Sequence, residues 1–262
     1  MPVPSSDVTG PRSLTPLFPT YTNVRHFLRI MDGIAVAAYH DLTGALQEQS
    51  GNPQEQVDWS EPDAWIPVRL AGEVRTLAER IWHASHRQLN PRYTRGCWYL
   101  AFRHGLLSRR HGEIVRLTER GQQFDKPDSG LEVEIDAYEG VLVILHLVAE
   151  HGAARRSDLL PGYAQFCRSE TTTASDNFIK TTLYDRLRNL IDRGFVLARG
   201  HRYEATEAGL AYLGSRVERT AGPSATPRKG PDLFRMVREL RETARRQLQE
   251  YLLGWIPSAL RN

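Results

Sequence analysis

Apolar residues recur at intervals of three and four along several separate stretches of the chain, which is the period of an amphipathic helix. One clear case follows Asp136, where Val141, Leu145 and Val148 fall on one face. Between residues 51 and 67 the chain is instead polar and rich in Asp, Glu, Pro and Trp, as in a loop. Helices are therefore predicted over residues 21–31, 39–49, 70–86, 91–104, 137–151 and 176–192, with a shorter one beginning at Ser157.

Two segments, offset by 89 residues, share the same order of residue types, which indicates an internal repeat. Each has a glycine, two apolar residues, a basic turn, further strand residues and a Thr-Glu-x-Gly. The first copy is built on His104-Gly105-Leu106-Leu107 and Thr118–Gly121, and the second on Arg193-Gly194-Phe195-Val196 and Thr206–Gly209. The first glycine suits the left-handed end of a helix, and the threonine can cap the next helix. With a β-hairpin between them, this order is typical of a winged helix.

The predicted fold is therefore mainly α with short β-hairpins (α+β). It consists of two tandem winged helix-turn-helix modules and a C-terminal amphipathic helix. The predicted bounds are a flexible leader over 1–18, the first module over 19–126, the second over 132–214, a linker over 215–231 and the amphipathic helix over 232–257. The last helix carries an apolar stripe close to a heptad repeat from Leu233 to Trp255. Such a stripe favours contact with a second copy, with the body of the protein or with a further domain or subunit.

The helix before each hairpin is the candidate DNA-contacting element, because the corresponding helix of helix-turn-helix proteins lies in the major groove. A solvated helix face without a ligand is the alternative. The first helix, which Asn90-Pro91 begins, is expected to present Arg92, Arg95, Tyr99 and Arg103. The second is expected to present Asn177, Lys180, Thr181, Tyr184 and Arg188. The hairpin arginines Arg109, Arg110, Arg199 and Arg202 are expected to contribute affinity through the DNA backbone.

Composition places the chain among ordinary globular proteins, with 40% hydrophobic and 25% charged residues. No stretch approaches the roughly 18 apolar residues of a membrane helix, and the N-terminus lacks the pattern of a secretory signal. Cys97 and Cys167 are widely spaced, so we expect buried free thiols in a reducing compartment and a cytoplasmic protein. The net charge of +3 is uneven, because residues 216–262 contribute +5 and the rest −2. The nearly neutral part of the chain, residues 1–215, can bind DNA only if its cations are clustered on one face.

Motifs for catalysis are missing from the sequence. It contains no phosphate-binding loop, no GxSxG and no Glu-x-Lys or Gln-x-Lys of the kind found in restriction nucleases. His83 and His86 could approach a metal from one helix, but no further ligands accompany them. Glu132, Glu134 and Asp136 are interpreted as an acidic linker and a helix cap. We predict no catalytic residue, metal site or cofactor, and leave enzymatic activity open.

Three features together resemble the DNA-binding region of Mrr-type (type IV) restriction endonucleases. They are the tandem winged helices, the ending that runs from Arg193–Val196 to Thr206–Gly209, and the amphipathic helix from Arg241 to Trp255. In such enzymes a PD-(D/E)xK nuclease domain follows this region, whereas the present sequence ends where that domain would begin. The resemblance implies the targeting portion of a restriction system that binds double-stranded DNA, modified or plain. The nuclease would then be a missing domain or a separate subunit.

Two other functions fit the same pattern. A transcriptional regulator could dimerise through the helix from Leu233 to Trp255 and bind a palindrome. Alternatively, tandem winged helices could serve as a protein–protein adaptor, which the nearly neutral body allows.

Overall fold

A computed structural model describes residues 11–50, 57–110, 113–126, 130–172 and 175–220. Within these ranges the protein is mainly helical and has two small antiparallel sheets, as the sequence predicts. None of the helices found there is both long and apolar enough to cross a bilayer. Cys97 and Cys167 are buried and unbridged, which confirms that part of the prediction.

The first half of the fold pairs a helical cluster with a β-hairpin. Its elements are α1 (Tyr21–Met31), α2 (Val36–Ser50), α3 (Pro62–Arg69), α4 (Gly72–Ala84), a 3-10 turn (Pro91–Tyr93), α5 (Arg95–Arg103), β1 (Leu107–Arg110), β2 (Ile114–Leu117) and α6 (Glu119–Asp125). β1 and β2 are antiparallel, with Leu107 opposite Leu117. Residues 33–36 run along the other edge of β2, where Ala35 bridges Ile114.

The second half has the same type of arrangement with a complete three-stranded sheet. Its elements are α7 (Leu131–Tyr138), α8 (Val141–His151), β3 (Ala153–Arg155), α9 (Arg156–Glu170), α10 (Asp176–Asp192), β4 (Val196–Arg199), β5 (Arg202–Ala205) and α11 (Glu207–Thr220). The strand order is β3-β5-β4, and both pairings are antiparallel. Ala154 of β3 and Ala198 of β4 both lie opposite Tyr203.

Several helices in the structure begin or end at residues other than the predicted ones. α3 occupies part of the stretch predicted as a loop, with Pro62 in its first turn. The helix predicted from residue 137 begins only at Val141, because Gly140 adopts φ +74° and separates α7 from α8. α11 continues to Thr220, into the predicted linker. The predicted amphipathic helix over 232–257 lies outside the described residues.

The internal repeat is visible in the hydrogen bonds of its first copy. Gly105 takes the left-handed conformation, with φ +64°. The Thr118 hydroxyl donates to the Gly105 carbonyl at 2.7 Å and accepts from the Gly121 amide at 2.9 Å. A Cβ on Gly121 would lie 2.2 Å from the Leu106 carbonyl oxygen, which explains why the motif ends in glycine.

The second copy forms the same bonds at the equivalent residues. Gly194 has φ +70°. The Thr206 hydroxyl donates to its carbonyl at 2.7 Å and accepts from the Gly209 amide at 3.1 Å. A Cβ on Gly209 would again lie 2.2 Å from a carbonyl oxygen, that of Phe195. The predicted order of a helix-ending glycine, a β-hairpin and a threonine-capped helix is therefore confirmed in both copies.

The segment before α1 is a packed part of the fold. Leu14, Thr15 and Phe18 are buried. Arg12 forms an isolated parallel bridge to Thr171 and an ion pair with Glu170 at 2.7 Å. The prediction of a flexible leader is therefore wrong for residues 11–18, while residues 1–10 lie outside the described residues.

A buried carboxylate, Glu139, joins the two halves. It accepts hydrogen bonds from the amide and hydroxyl of Thr15, at 2.8 and 2.6 Å. Arg186 of α10 donates to the same carboxylate at 2.7 Å, and His104 Nε2 lies 2.8 Å from it. Side chains from both halves thus meet on one fully buried carboxylate.

A second buried carboxylate, Asp136, lies on α7. It accepts from the Tyr21 hydroxyl at 2.6 Å, from Arg193 at 2.7 Å and from the Tyr212 hydroxyl at 2.5 Å. The interpretation of Asp136 as a helix cap is therefore wrong, because its partners come from distant parts of the chain. Arg193 and His104 hold equivalent positions in the repeat, and each reaches one of the two buried carboxylates.

We expect acid to weaken the fold through Glu139. Burial by itself would raise its pKa, but the hydrogen bond to His104 and the charge of Arg186 outweigh burial and lower the pKa from 4.5 to about 2. A depressed carboxyl pKa adds stability that is complete above the unfolded value and is lost as the pH falls from 4.5 towards about 2. The loss should be about 3 kcal/mol, measured by urea unfolding at several pH values.

The control for this titration is Glu139→Gln, which cannot ionise. Its free energy of unfolding should depend less steeply on pH between 4.5 and about 2 than that of the wild type. Equal slopes for the two proteins would show that other carboxyl groups cause the acid dependence.

Candidate nucleic-acid interface

The polar face predicted for the helix over 176–192 is present on α10. The helix starts at Asp176, as predicted, after Ser175, whose hydroxyl accepts from the Phe178 amide. One side of the helix packs into the core through Ile179, Leu183, Leu187 and Leu190. The predicted contact residues are all exposed on the other side: Asn177, Lys180, Thr181, Tyr184 and Arg188.

Two guanidinium groups lie near the Tyr184 ring on this surface. Arg156, at the start of α9, is 5.5 Å from the centre of this ring, and Arg188 is 5.9 Å away. Tyr184 is 42% exposed, so it remains accessible beside both cations. Sequence reasoning missed Arg156, because its place beside Tyr184 depends on the packing of α9 against α10.

The corresponding surface on α5 is smaller than predicted. Arg95 and Tyr99 are exposed, and the Arg95 guanidinium donates to the Tyr99 hydroxyl at 3.1 Å. Arg92 belongs to the 3-10 turn, where its guanidinium lies 3.9 Å from the centre of the Trp59 ring. The prediction that Arg92 shares a helix face with Arg95 is therefore wrong.

A buried threonine explains this break. The Thr94 hydroxyl donates to the Pro91 carbonyl at 3.0 Å, which closes the 3-10 turn before α5 begins. Asn90 caps the turn as predicted, because its side chain accepts from the Arg92 amide. At the other end of α5, Arg103 is exposed and donates to the carbonyl oxygen of Ser13.

The two helices carry an Arg–Tyr pair at equivalent positions of the repeat. Arg95 and Tyr99 precede Gly105 by ten and six residues, and Tyr184 and Arg188 precede Gly194 by the same intervals, in the opposite order. The guanidinium-to-ring distance is 5.9 Å in both pairs. Alignment of the two glycines reveals this match in the sequence itself.

The hairpins place their arginines in different settings. Arg109 is exposed on β1, with its guanidinium 5.2 Å from the Phe102 ring centre. The side chain of Arg110 lies outside the described residues. Arg199 is 3.9 Å from Glu204, whereas Arg202 is exposed at the start of β5.

Most other arginines of the described ranges form an ion pair with a carboxylate, whereas several of the candidate DNA-contacting cations do not. Carboxylate partners within 4 Å are found for Arg12, Arg25, Arg29, Arg75, Arg87, Arg116, Arg120, Arg168, Arg186 and Arg193 and, among the candidate cations, for Arg199. Within the described ranges, no such partner is found for Arg95, Arg109, Lys180, Arg188 and Arg202. Cations without an internal partner are available to neutralise phosphates.

The acidic residues around α7 have structural partners. Glu132 pairs with Arg193 at 3.0 Å and also with Arg25, and Glu134 pairs with Arg120 at 2.6 Å. Their interpretation as an acidic linker is therefore wrong. Across the part of the chain that the structure describes, no three His, Cys, Asp or Glu side chains come together as a metal site. A comparison with protein-family models, curated proteins and solved structures finds no match for this chain.

Proposed function

We propose that the protein binds double-stranded DNA through two winged-helix modules. The order α8, β3, α9, α10, β4 and β5, with β3 beside β5, supports this assignment for the second half. In the first half α1, residues 33–36, α2, α5, β1 and β2 follow the same order. There α3 and α4 are inserted between the second and third helices of the module.

The observation that carries the proposal is the exposed face of α10. In a winged helix this third helix enters the major groove. Lys180 and Arg188 can donate to guanine or phosphate, and Asn177 has the amide that pairs with adenine. Since the two cations have no carboxylate partner within the described ranges, binding DNA would not require an internal ion pair to break.

The resemblance to Mrr-type restriction endonucleases supports a narrower proposal. The protein would be the targeting portion of a restriction system, acting with a nuclease supplied by another domain or subunit. Tighter binding to methylated than to plain duplex of the same sequence would support this role, whereas equal binding would remove the reason to prefer it over a regulator.

Removing the unpaired cations is expected to weaken DNA binding. Lys180→Ala with Arg188→Ala, and separately Arg95→Ala with Arg109→Ala, should each lower the affinity about tenfold or more at low salt. Each should also reduce the slope of log affinity against log salt by about 1 to 2. Fluorescence anisotropy with a duplex of about 30 base pairs, at about 50 and 200 mM salt, measures both quantities.

Arg29→Ala with Arg75→Ala is the matched control, because both arginines are exposed but paired with acidic residues. Its affinity should stay within about twofold of the wild type. If the folded wild-type protein does not bind duplex DNA at the lower salt concentration, the proposal fails and the adaptor function is favoured.

A further inference from the structure

The two candidate DNA-contacting helices, α5 and α10, pack against the same short segment, residues 13–19. On the α5 side, Gly96 touches it so closely that a Cβ there would lie 1.9 Å from the Leu17 carbonyl oxygen. Further along α5, Arg103 donates to the Ser13 carbonyl. The backbone of the segment therefore lies directly against the helix.

α10 holds the same segment through buried side chains. Asn189 donates to the Pro19 carbonyl at 2.9 Å, and Arg186 donates to the Thr15 carbonyl at 3.4 Å. The Arg186 guanidinium also lies 4.6 Å from the centre of the Phe18 ring. Residues 13–19 are thus placed between α5 and α10.

This shared contact limits the distance between the two helices. The Leu17 and Pro19 contacts are two residues apart, which is at most about 7 Å of extended chain. With helix diameters of about 10–12 Å, the two axes lie within about 20 Å where they face the segment. Successive major-groove sites on one side of a duplex are about 34 Å apart. Arg95 and Arg188, which are next to these contacts in the chain, are therefore too close to lie in two successive major grooves.

Leu17 lies against Gly96 of α5 and is followed by Phe18, whose ring lies beside Arg186 of α10. Leu17 is 54% exposed although the nearby Thr15 and Phe18 are buried. Its φ of +52° is in the left-handed region, which is unfavourable for a residue with a Cβ. Glycine at this position would relieve the strain, so the leucine side chain is held in the solvent at a cost to the fold.

We propose that Leu17 and the two Arg–Tyr pairs form one composite face that binds a single DNA duplex. The inference rests on the proposed DNA-binding function and defines its site. α10 carries the polar residues suited to the major groove, and Arg95 and Tyr99 of α5 contact the adjoining backbone. Leu17 makes the apolar contact between the two helices, against sugars or base edges.

A short duplex tests the composite face. A duplex of about 14 base pairs is too short to cover two groove sites one turn apart together with their flanks. Arg95→Ala and Arg188→Ala should each lower the affinity for it about tenfold, and saturation should occur at one duplex per chain. Two duplexes per chain, or a loss of less than about twofold for either variant, would indicate independent sites and overturn the inference.

Leu17→Gly removes the proposed apolar contact with DNA but keeps the fold, because glycine tolerates the observed φ. Relief of the left-handed strain and the greater freedom of glycine in the unfolded chain act in opposite directions, so the variant should unfold at about the same denaturant concentration as the wild type. It should bind the short duplex about fivefold more weakly. Leu17→Met, which keeps the apolar side chain, is the control and should bind normally. Unchanged binding by Leu17→Gly would overturn the composite face, whereas wild type that binds no duplex of any length would refute the proposed function itself.

Discussion

Glu139→Ala is expected to lower the free energy of unfolding by about 3–5 kcal/mol, the typical cost of leaving one member of a buried ion pair without its partner. Arg186 is fully buried and would keep its charge without the carboxylate that it contacts at 2.7 Å. The amide and hydroxyl of Thr15 would also lose their acceptor. Urea unfolding at neutral pH, followed by circular dichroism, measures the change.

Glu79→Ala provides the matched control, because Glu79 pairs with Arg75 on the exposed surface of α4. Its effect should be within about 0.5 kcal/mol of zero. Adding Arg186→Met to the Glu139 variant should recover part of the loss, since an apolar side chain replaces the stranded charge. A loss of less than about 1 kcal/mol in Glu139→Ala would contradict the role assigned to the carboxylate.

The buried Glu139–Arg186 pair also bears on whether the two halves of the protein unfold together. Glu139 binds Thr15 and His104 from the first half and Arg186 from the second. The buried apolar side chains also form one continuous core that extends through both halves. We therefore expect a single cooperative unfolding transition, although the sequence divides into two repeats.

Local signals explain the parts of the fold that the sequence predicted well. The left-handed glycine of each copy ends its own helix, and the hydroxyl of each capping threonine bonds to that glycine no more than 13 residues away. Gly105, Thr118 and their counterparts Gly194 and Thr206 could therefore be recognised by type and spacing. Helical periodicity likewise identified the exposed face of α10, because opposite sides of one helix differ in polarity.

The features of the fold that the sequence did not predict depend on contacts between residues that are far apart in the chain. Asp136 has the sequence setting of a helix cap, yet Tyr21, Arg193 and Tyr212 surround it in the folded chain. The segment before α1 is rich in proline and polar residues, and only its contacts with α7, α9 and α10 show that it is packed. Periodicity describes one element at a time, so it contains no information about such contacts.

The candidate site likewise has features that the sequence predicted and others that it did not. The sequence identified the residues of both helix faces, except that Arg92 belongs to a separate turn. It also contained the equivalent Arg–Tyr pairs, which become visible when Gly105 and Gly194 are aligned. The meeting of both helices on residues 13–19 could not be predicted, because Gly96 and Leu17 are 79 residues apart and neither belongs to a recognisable motif.

Gly96→Ala is expected to destabilise the protein by about 3 kcal/mol, at the upper end of the usual cost of overpacking. The new Cβ would lie 1.9 Å from the Leu17 carbonyl oxygen, so backbone must move, and rotation of a side chain cannot relieve the clash. Thermal and urea unfolding of the variant measure the loss. The displaced segment should also weaken DNA binding, if the composite face exists.

Gly44→Ala is the matched control, because it makes the same substitution at an exposed position of α2 where nothing lies within 4 Å of the new Cβ. It should stabilise the protein by about 0.5–1 kcal/mol, since alanine restricts the unfolded chain and favours the helix. The two variants therefore add the same methyl group with opposite expected signs. If Gly96→Ala were as stable as the wild type, α5 would not pack closely on residues 13–19, and this segment would no longer bring α5 and α10 onto one face.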